Sequence, residues 1–310
     1  MKTRHITTIV CIAIGFALTS GCGKSEEKSE TSPKSNAEKA ANLALPVPKN
    51  FAELVALSPE ELAKIDIARV NLLCAEGLPG SENLDIEKSL GTLDQWARIA
   101  RQAEQKYRPG YFQNPGRYDH SLAKFKAINL ALTLKQDLGC GYNMNLVQSG
   151  AMTDVRSTSF FRNSQDLFLH GFSGKHSGSC SSLPVLIVAI GRRCGYPLKL
   201  VTCKGHLFCR WDDEKDRFNI ETACQGVDIK PDAYYRQWPH RSTEAEVQSE
   251  GYLKSLSLSE ELAVFSQIRA ACLQENQRYP EATQAYEIAL RAFPNSKYLK
   301  QYLNSINRRQ

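Results

Sequence analysis

The chain has 310 residues, of which 42% are apolar and 23% charged, with a formal net charge of +6. These are ordinary values for a soluble globular protein, and they supply enough apolar surface for a buried core in one large domain or two small ones. The charges are dispersed and no basic stripe is interleaved with aromatics, so nucleic-acid binding finds no support.

The first residues stand apart from that core. Lys2 and Arg4 precede an apolar run from Ile6 to Leu18, and the small residues Thr19-Ser20-Gly21 lead to Cys22. This is the layout of a secretory signal over residues 1–21, and the run falls short of the roughly 20 apolar residues of a membrane span. Small residues before a cysteine resemble a bacterial lipobox, which makes Cys22 the expected lipidation site. The other reading is an ordinary cleaved signal with a chance cysteine. Two or more acyl chains on Cys22 give stable anchoring to a membrane. Residues 23–50 are dominated by Ser, Glu and Lys; aromatics are absent, so this stretch is expected to be a disordered tether. The expectation is an exported, lipid-anchored protein of the bacterial cell envelope.

Residues 51–140 read as a helical lead-in. Ser58-Pro59-Glu60-Glu61 carries a capping box with proline at the first helical position, and helical spacing continues through Leu62, Ile65, Val70 and Leu73 to Gly77. A second helix is predicted over Leu84 to Tyr107, with Leu90, Leu93, Trp96 and Ile99 on one stripe. A third is predicted over Ser121 to Leu138, with Leu122, Phe125, Ile128 and Leu132 on its apolar face. These stripes are core positions and carry no chemistry.

Residues 141–245 form the expected core. An irregular stretch leads to Cys180, which opens a strongly apolar helix that ends at Gly195; Pro184 falls in its first turn. Leu198 to Cys203, His206 to Trp211 and Arg217 to Glu221 read as strands, with a polar turn over Asp212 to Asp216. Over residues 246–310 the pattern is helical again, at Leu258 to Leu273 and Glu281 to Phe293. Tyr279, Ala282, Ala285-Tyr286 and Ala289-Leu290 resemble a tetratricopeptide repeat. At most about one and a half units fit, whereas such repeats need roughly three to stand alone, so this tail is expected to dock on the main domain.

Cys180, His206 and Glu221 carry the candidate chemistry. A cysteine at a helix N-terminus is a favoured nucleophile, a histidine can take and return its proton, and a carboxylate can hold the imidazole in one tautomer. A hairpin placing His206 opposite Glu221 is centred between Asp213 and Glu214, inside the predicted polar turn. Plainer readings remain: Cys180 as a buried core thiol, His206 as a satisfied strand histidine, Glu221 as a surface strand residue. Cys203-x-x-His206-x-x-Cys209 suggests zinc, but only if Lys204-Gly205 forms a knuckle, because residues three apart on a strand face opposite ways. Of the 10 cysteines, Cys11 leaves with the signal and Cys22 is the lipidation candidate. Pairing among the rest is not fixed by spacing.

The order of these elements resembles the transglutaminase-like branch of the papain-like cysteine enzymes. Gly178-Ser-Cys-Ser-Ser-Leu-Pro-Val-Leu with Arg192-Arg-Cys-Gly-Tyr-Pro resembles that superfamily's cysteine helix and its Arg-x-x-Gly-x-Pro ending. Lys204-Gly-His-Leu-Phe resembles its histidine strand, and Phe218-Asn-Ile-Glu its acid strand. Leu84 to Ala97 resembles the lead-in of a bacterial subgroup with C-terminal tetratricopeptide helices. The resemblance implies an α+β fold, with the cysteine helix packed on an antiparallel sheet, a helical lead-in and a helical tail. It implies a cysteine hydrolase or acyltransferase acting on amide bonds of a peptide or protein through a thioester; the residues themselves lead to no expectation of a cofactor or metal. The second oxyanion donor is left open among Gln165, Asn163 and His176. The alternative is a catalytically inactive binding module of the envelope whose C-terminal helices hold a protein partner.

Overall fold

The computed structural model describes residues 47–148, 160–222 and 227–308. The signal segment, Cys22 and the tether up to residue 46 lie outside the described residues, as does Cys224. The architecture is mixed, with helices on either side in sequence of an antiparallel sheet, and residues Pro46–Gln310 cluster as one unit.

The lead-in opens with the expected capping box. Ser58 Oγ accepts from the Glu61 N–H at 3.2 Å, and the Glu61 carboxylate accepts from the Ser58 N–H at 2.8 Å. The helix it starts is short, Pro59–Leu62, rather than running on to Gly77. Asp66 ends that continuity by capping a fresh helix, α1 (Ile67–Ala75), where its carboxylate accepts from the Ala68 N–H at 2.9 Å. The second helix, α2 (Ile86–Gln113), buries Leu90, Leu93 and Trp96 as predicted but passes beyond Tyr107 and through Pro109. Pro109 and Gln105 are both exposed, so water can take the Gln105 carbonyl that the proline leaves without a helical donor. In α3 (Leu122–Leu132) the buried face is Phe125, Ala127, Leu130 and Ala131, while Leu132 is exposed; the face is rotated from the predicted stripe.

Two short parallel strands, β1 (Gly141–Tyr142) and β2 (Ser177–Gly178), precede the helix α4 (Leu183–Arg193). Every residue of α4 from Leu183 to Gly191 is buried. Four antiparallel strands follow in the order β3 (Leu198–Cys203), β4 (His206–Asp212), β5 (Arg217–Glu221) and β6 (Asp228–Lys230). The first three match the sequence reading; β1, β2 and β6 are additions. Along β4, Leu207, Cys209 and Trp211 join the main core under α4, and Cys209 Sγ donates to the Pro184 carbonyl at 3.2 Å. A Cβ on Gly191 would lie 2.2 Å from Leu198 Cδ1, so glycine is what allows α4 to approach β3 this closely. His206, Phe208 and Arg210 point to the opposite face, where Val201, Cys203, Phe208, Tyr235, Val247 and Leu253 form a second cluster.

The tail is three helices, α5 (Leu258–Glu275), α6 (Tyr279–Ala292) and α7 (Lys297–Asn307). It docks on the rest of the chain, as its small number of repeats requires. The buried Arg269 donates to the carbonyls of Cys74 (3.0 Å) and Glu76 (2.5 Å) at the C-terminal end of α1. Arg192, near the end of α4, grips the fully buried Glu261 of α5 with two hydrogen bonds of 3.0 and 2.6 Å, and its Nε donates to the Leu198 carbonyl at 2.9 Å.

Candidate active site

Cys180 does not open the helix as the sequence suggests. It lies in the turn just before α4, and the turn is held by its serines. The Ser179 N–H donates to Ser182 Oγ at 3.0 Å, and Ser182 Oγ donates to the Asp166 carbonyl at 3.0 Å. The Ser181 N–H donates to Ser179 Oγ at 3.1 Å, while the N–H groups of Ser182 and Leu183 both donate to the Ser179 carbonyl. Gly178 seats this turn, because a Cβ there would fall 2.3 Å from Ser182 Oγ and 2.5 Å from the Phe172 ring. Ser179 and Ser182 are completely buried, whereas Cys180 is only partly so. The result is a fixed, reachable thiol at the positive end of an eleven-residue helix.

His206 and Glu221 meet, but not in the predicted register. The β4–β5 pairs run from Asp212↔Arg217 to Cys209↔Ile220, so the ladder continues with Glu221 opposite Phe208 and diagonal to His206. The hairpin is centred one residue later than the sequence reading placed it. Diagonal neighbours lie roughly 7–8 Å apart, within reach of a long side chain. Glu221 spans that gap and its Oε2 lies 2.9 Å from His206 Nε2, with both side chains buried. The extra methylene of glutamate over aspartate is what this diagonal needs. Glu221 Oε1 accepts from the Thr222 N–H at 2.8 Å, and the buried Tyr235 hydroxyl faces the same carboxylate. With Nε2 engaged by Glu221, Nδ1 is the nitrogen left to face Cys180, which lies close enough to favour the protonated ring.

The charge state follows from this setting. Burial opposes protonation of His206, but hydrogen bonds to Cys180 and Glu221, and the negative charge near both, outweigh it; its pKa is pushed up to about 9. Trp238 packs edge-on against the imidazole, with ring centroids 4.8 Å apart, and Tyr235 stacks on Phe208 at 3.7 Å beneath it. These aromatics exclude water from the His206–Glu221 bond.

Other residues singled out by the sequence are used elsewhere. His176 is exposed, with Nδ1 2.8 Å from the Leu138 carbonyl and its ring 5.6 Å from Trp96. Asn163 caps the short helix Ser164–Leu167, its side-chain oxygen accepting from the Gln165 N–H at 2.9 Å. His170 is packed between Ser164 Oγ and the Gly80 carbonyl, and burial pushes its pKa down to about 4, which makes it a neutral structural group. The zinc alternative fails on geometry. Lys204-Gly205 is a hairpin turn, with Gly205 at φ 77°, that sets Cys203 directly opposite His206; Cys209 points to the other face of the sheet. Among the described residues no group of three or more His, Cys, Asp or Glu side chains is placed to hold a metal. The seven described cysteines are all unpaired thiols, and burial pushes those of Cys74 and Cys140 up to about 12. Tyr142 is the residue that sequence reasoning missed. It neighbours Cys180 only because β1 pairs with β2, which spacing along the chain does not reveal.

No protein-family model matches this chain, and no curated protein or solved structure matches it significantly. The fold and the site define an α+β protein with a Cys-His-Glu constellation at the junction of a buried helix and an antiparallel sheet.

Proposed function

We propose that this chain is a transglutaminase-like cysteine enzyme with a papain-like core, acting on amide bonds by way of a thioester. The observation that carries the reading is the His206–Glu221 bond through Nε2, which turns the other face of the imidazolium to Cys180. In the proposed reaction the Cys180 sulfur attacks the acyl carbon. His206 delivers its proton to the departing amine as the C–N bond breaks, leaving an acyl-thioester on Cys180. A water molecule or a second amine then attacks. His206 takes its proton, and the Cys180 thiolate leaves. Glu221 holds the ring orientation and its charge throughout. The substrate class is a peptide or protein amide. The signal layout and Cys22 support a lipid-anchored place in the cell envelope.

The test is capture of the intermediate. Incubation with a p-nitrophenyl ester, followed by acid quench and mass spectrometry, is expected to find the acyl group on Cys180. Adding a primary amine should speed its loss if acyl transfer is the physiological outcome. An acyl group spread over several cysteines, or absent from Cys180, contradicts the proposal.

A further inference from the structure

We propose that the Tyr142 hydroxyl is the second donor of an oxyanion hole whose first donor is the Cys180 backbone N–H. This rests on the acyl-transfer reading above and adds a catalytic residue to it. The β1–β2 bridge pairs Tyr142 with Gly178, and the Asn143 N–H donates to the Gly178 carbonyl at 2.7 Å, which fixes Tyr142 beside the Cys180 turn. The ring is half-buried, and its oxygen is buried without a hydrogen bond of ordinary geometry among the described residues. Its neighbours are the N–H and the sulfur of Cys180.

The turn itself points the same way. The N–H groups of Ser179, Ser181, Ser182 and Leu183 are all spent on the serines of the turn, as described above. The Cys180 N–H donates to none of these groups among the described residues, and the Tyr142 oxygen lies near it. Two adjacent, unspent donors beside a nucleophile are costly in a resting protein, since a buried polar group without a partner loses its hydration. They are what a developing negative oxygen on an attacked carbonyl requires. Burial first, and then the negative potential of Cys180 and Glu221, push the tyrosine's ionisation upward, so the hydroxyl keeps its proton and remains a donor.

The experiment compares Tyr142→Phe with the unaltered protein in two reactions at Cys180. Acylation by a p-nitrophenyl ester passes through a tetrahedral oxyanion, whereas alkylation by iodoacetamide is displacement at a saturated carbon and creates none. The variant is expected to acylate about 10²-fold more slowly, the size of effect seen when one oxyanion donor is removed, while alkylation stays within about twofold. Unchanged acylation, or acylation and alkylation slowed in parallel, overturns the role; in the second case Tyr142 acts on the sulfur. Either of these results leaves the thioester reading standing. Failure of the unaltered protein to acylate at Cys180 overturns that reading and this one together, and shows before any variant is made. Because a buried hydroxyl without a partner costs stability, Tyr142→Phe should melt at or above the temperature of the parent; a clearly lower melting temperature overturns the claim that the hydroxyl is unspent.

Discussion

Glu221→Gln is expected to lower acylation of Cys180 by about 10²–10⁴-fold with the fold intact. Gln keeps the length of the side chain but loses the charge, and its amide can donate to Nε2 and so favour the wrong tautomer of His206. Glu221→Asp keeps the charge but loses a methylene, and the diagonal register then leaves the carboxylate short of the ring. Its expected loss is of the same order, which is unusual for such a conservative change and is a direct test of the register. The linked observable is the His206 proton, followed by NMR. In the unaltered protein it should titrate near pH 9. In Glu221→Gln the titration should move down by at least about one unit. The sign for stability follows. The folded-state pKa lies above the unfolded value of about 6.5, so the contribution of protonated His206 is complete below that pH and fades as pH rises through about 9. Glu221→Gln should flatten that part of the stability profile. An aspartate variant as active as the parent, or an unmoved titration, would contradict the assignment.

Arg192→Ala should destabilise the protein by about 3–5 kcal/mol, read from urea unfolding. The reason lies less in the ion pair than in what its loss strands: Glu261 is fully buried and depends on both guanidinium nitrogens. Burial already raises the Glu261 pKa, with Arg192 working against that shift, so the stranded carboxyl would protonate. Arg192→Lys should recover little, because an ammonium cannot make the two-pronged bond and also reach the Leu198 carbonyl. The double change Arg192→Met with Glu261→Met should cost less than Arg192→Ala alone, since no buried charge remains unpaired. This pair joins the cysteine helix to the tail, so the tail supports the site from behind rather than hanging free. A variant within 1 kcal/mol of the parent, on the scale of about 0–1 kcal/mol for an exposed pair, would show that the contact is not buried in solution.

The parts of the fold legible in the sequence were those set by local chemistry. The capping box at Ser58, the apolar run of α4 and the runs that form β3, β4 and β5 depend on residues within one turn or one strand. The break before α1 was missed because Ile65 and Val70 preserve helical spacing across it, while the cap at Asp66 decides otherwise. The three members of the Cys-His-Glu set were legible from residue type and element order. Their register was not, because the Asp213 carboxylate accepts from the N–H groups of Lys215 and Asp216 and moves the turn by one residue. The position of Cys180 was legible to within a turn, but the serine bonds that place it ahead of the helix were not. Tyr142 was out of reach altogether. Its place depends on a two-residue parallel bridge between segments far apart in the chain, and two residues carry no periodicity.

The central claim is that Cys180 and His206 act as one unit, and the most direct measurement is site-resolved alkylation at neutral pH. A limiting amount of iodoacetamide, with each adduct located by mass spectrometry, compares Cys180 with the other cysteines of the folded protein. The expected result is a dominant adduct on Cys180 that drops by at least about tenfold in His206→Ala, since the ring that activates the sulfur is gone. Labelling that favours another thiol, or labelling of Cys180 that ignores the loss of His206, would contradict the account.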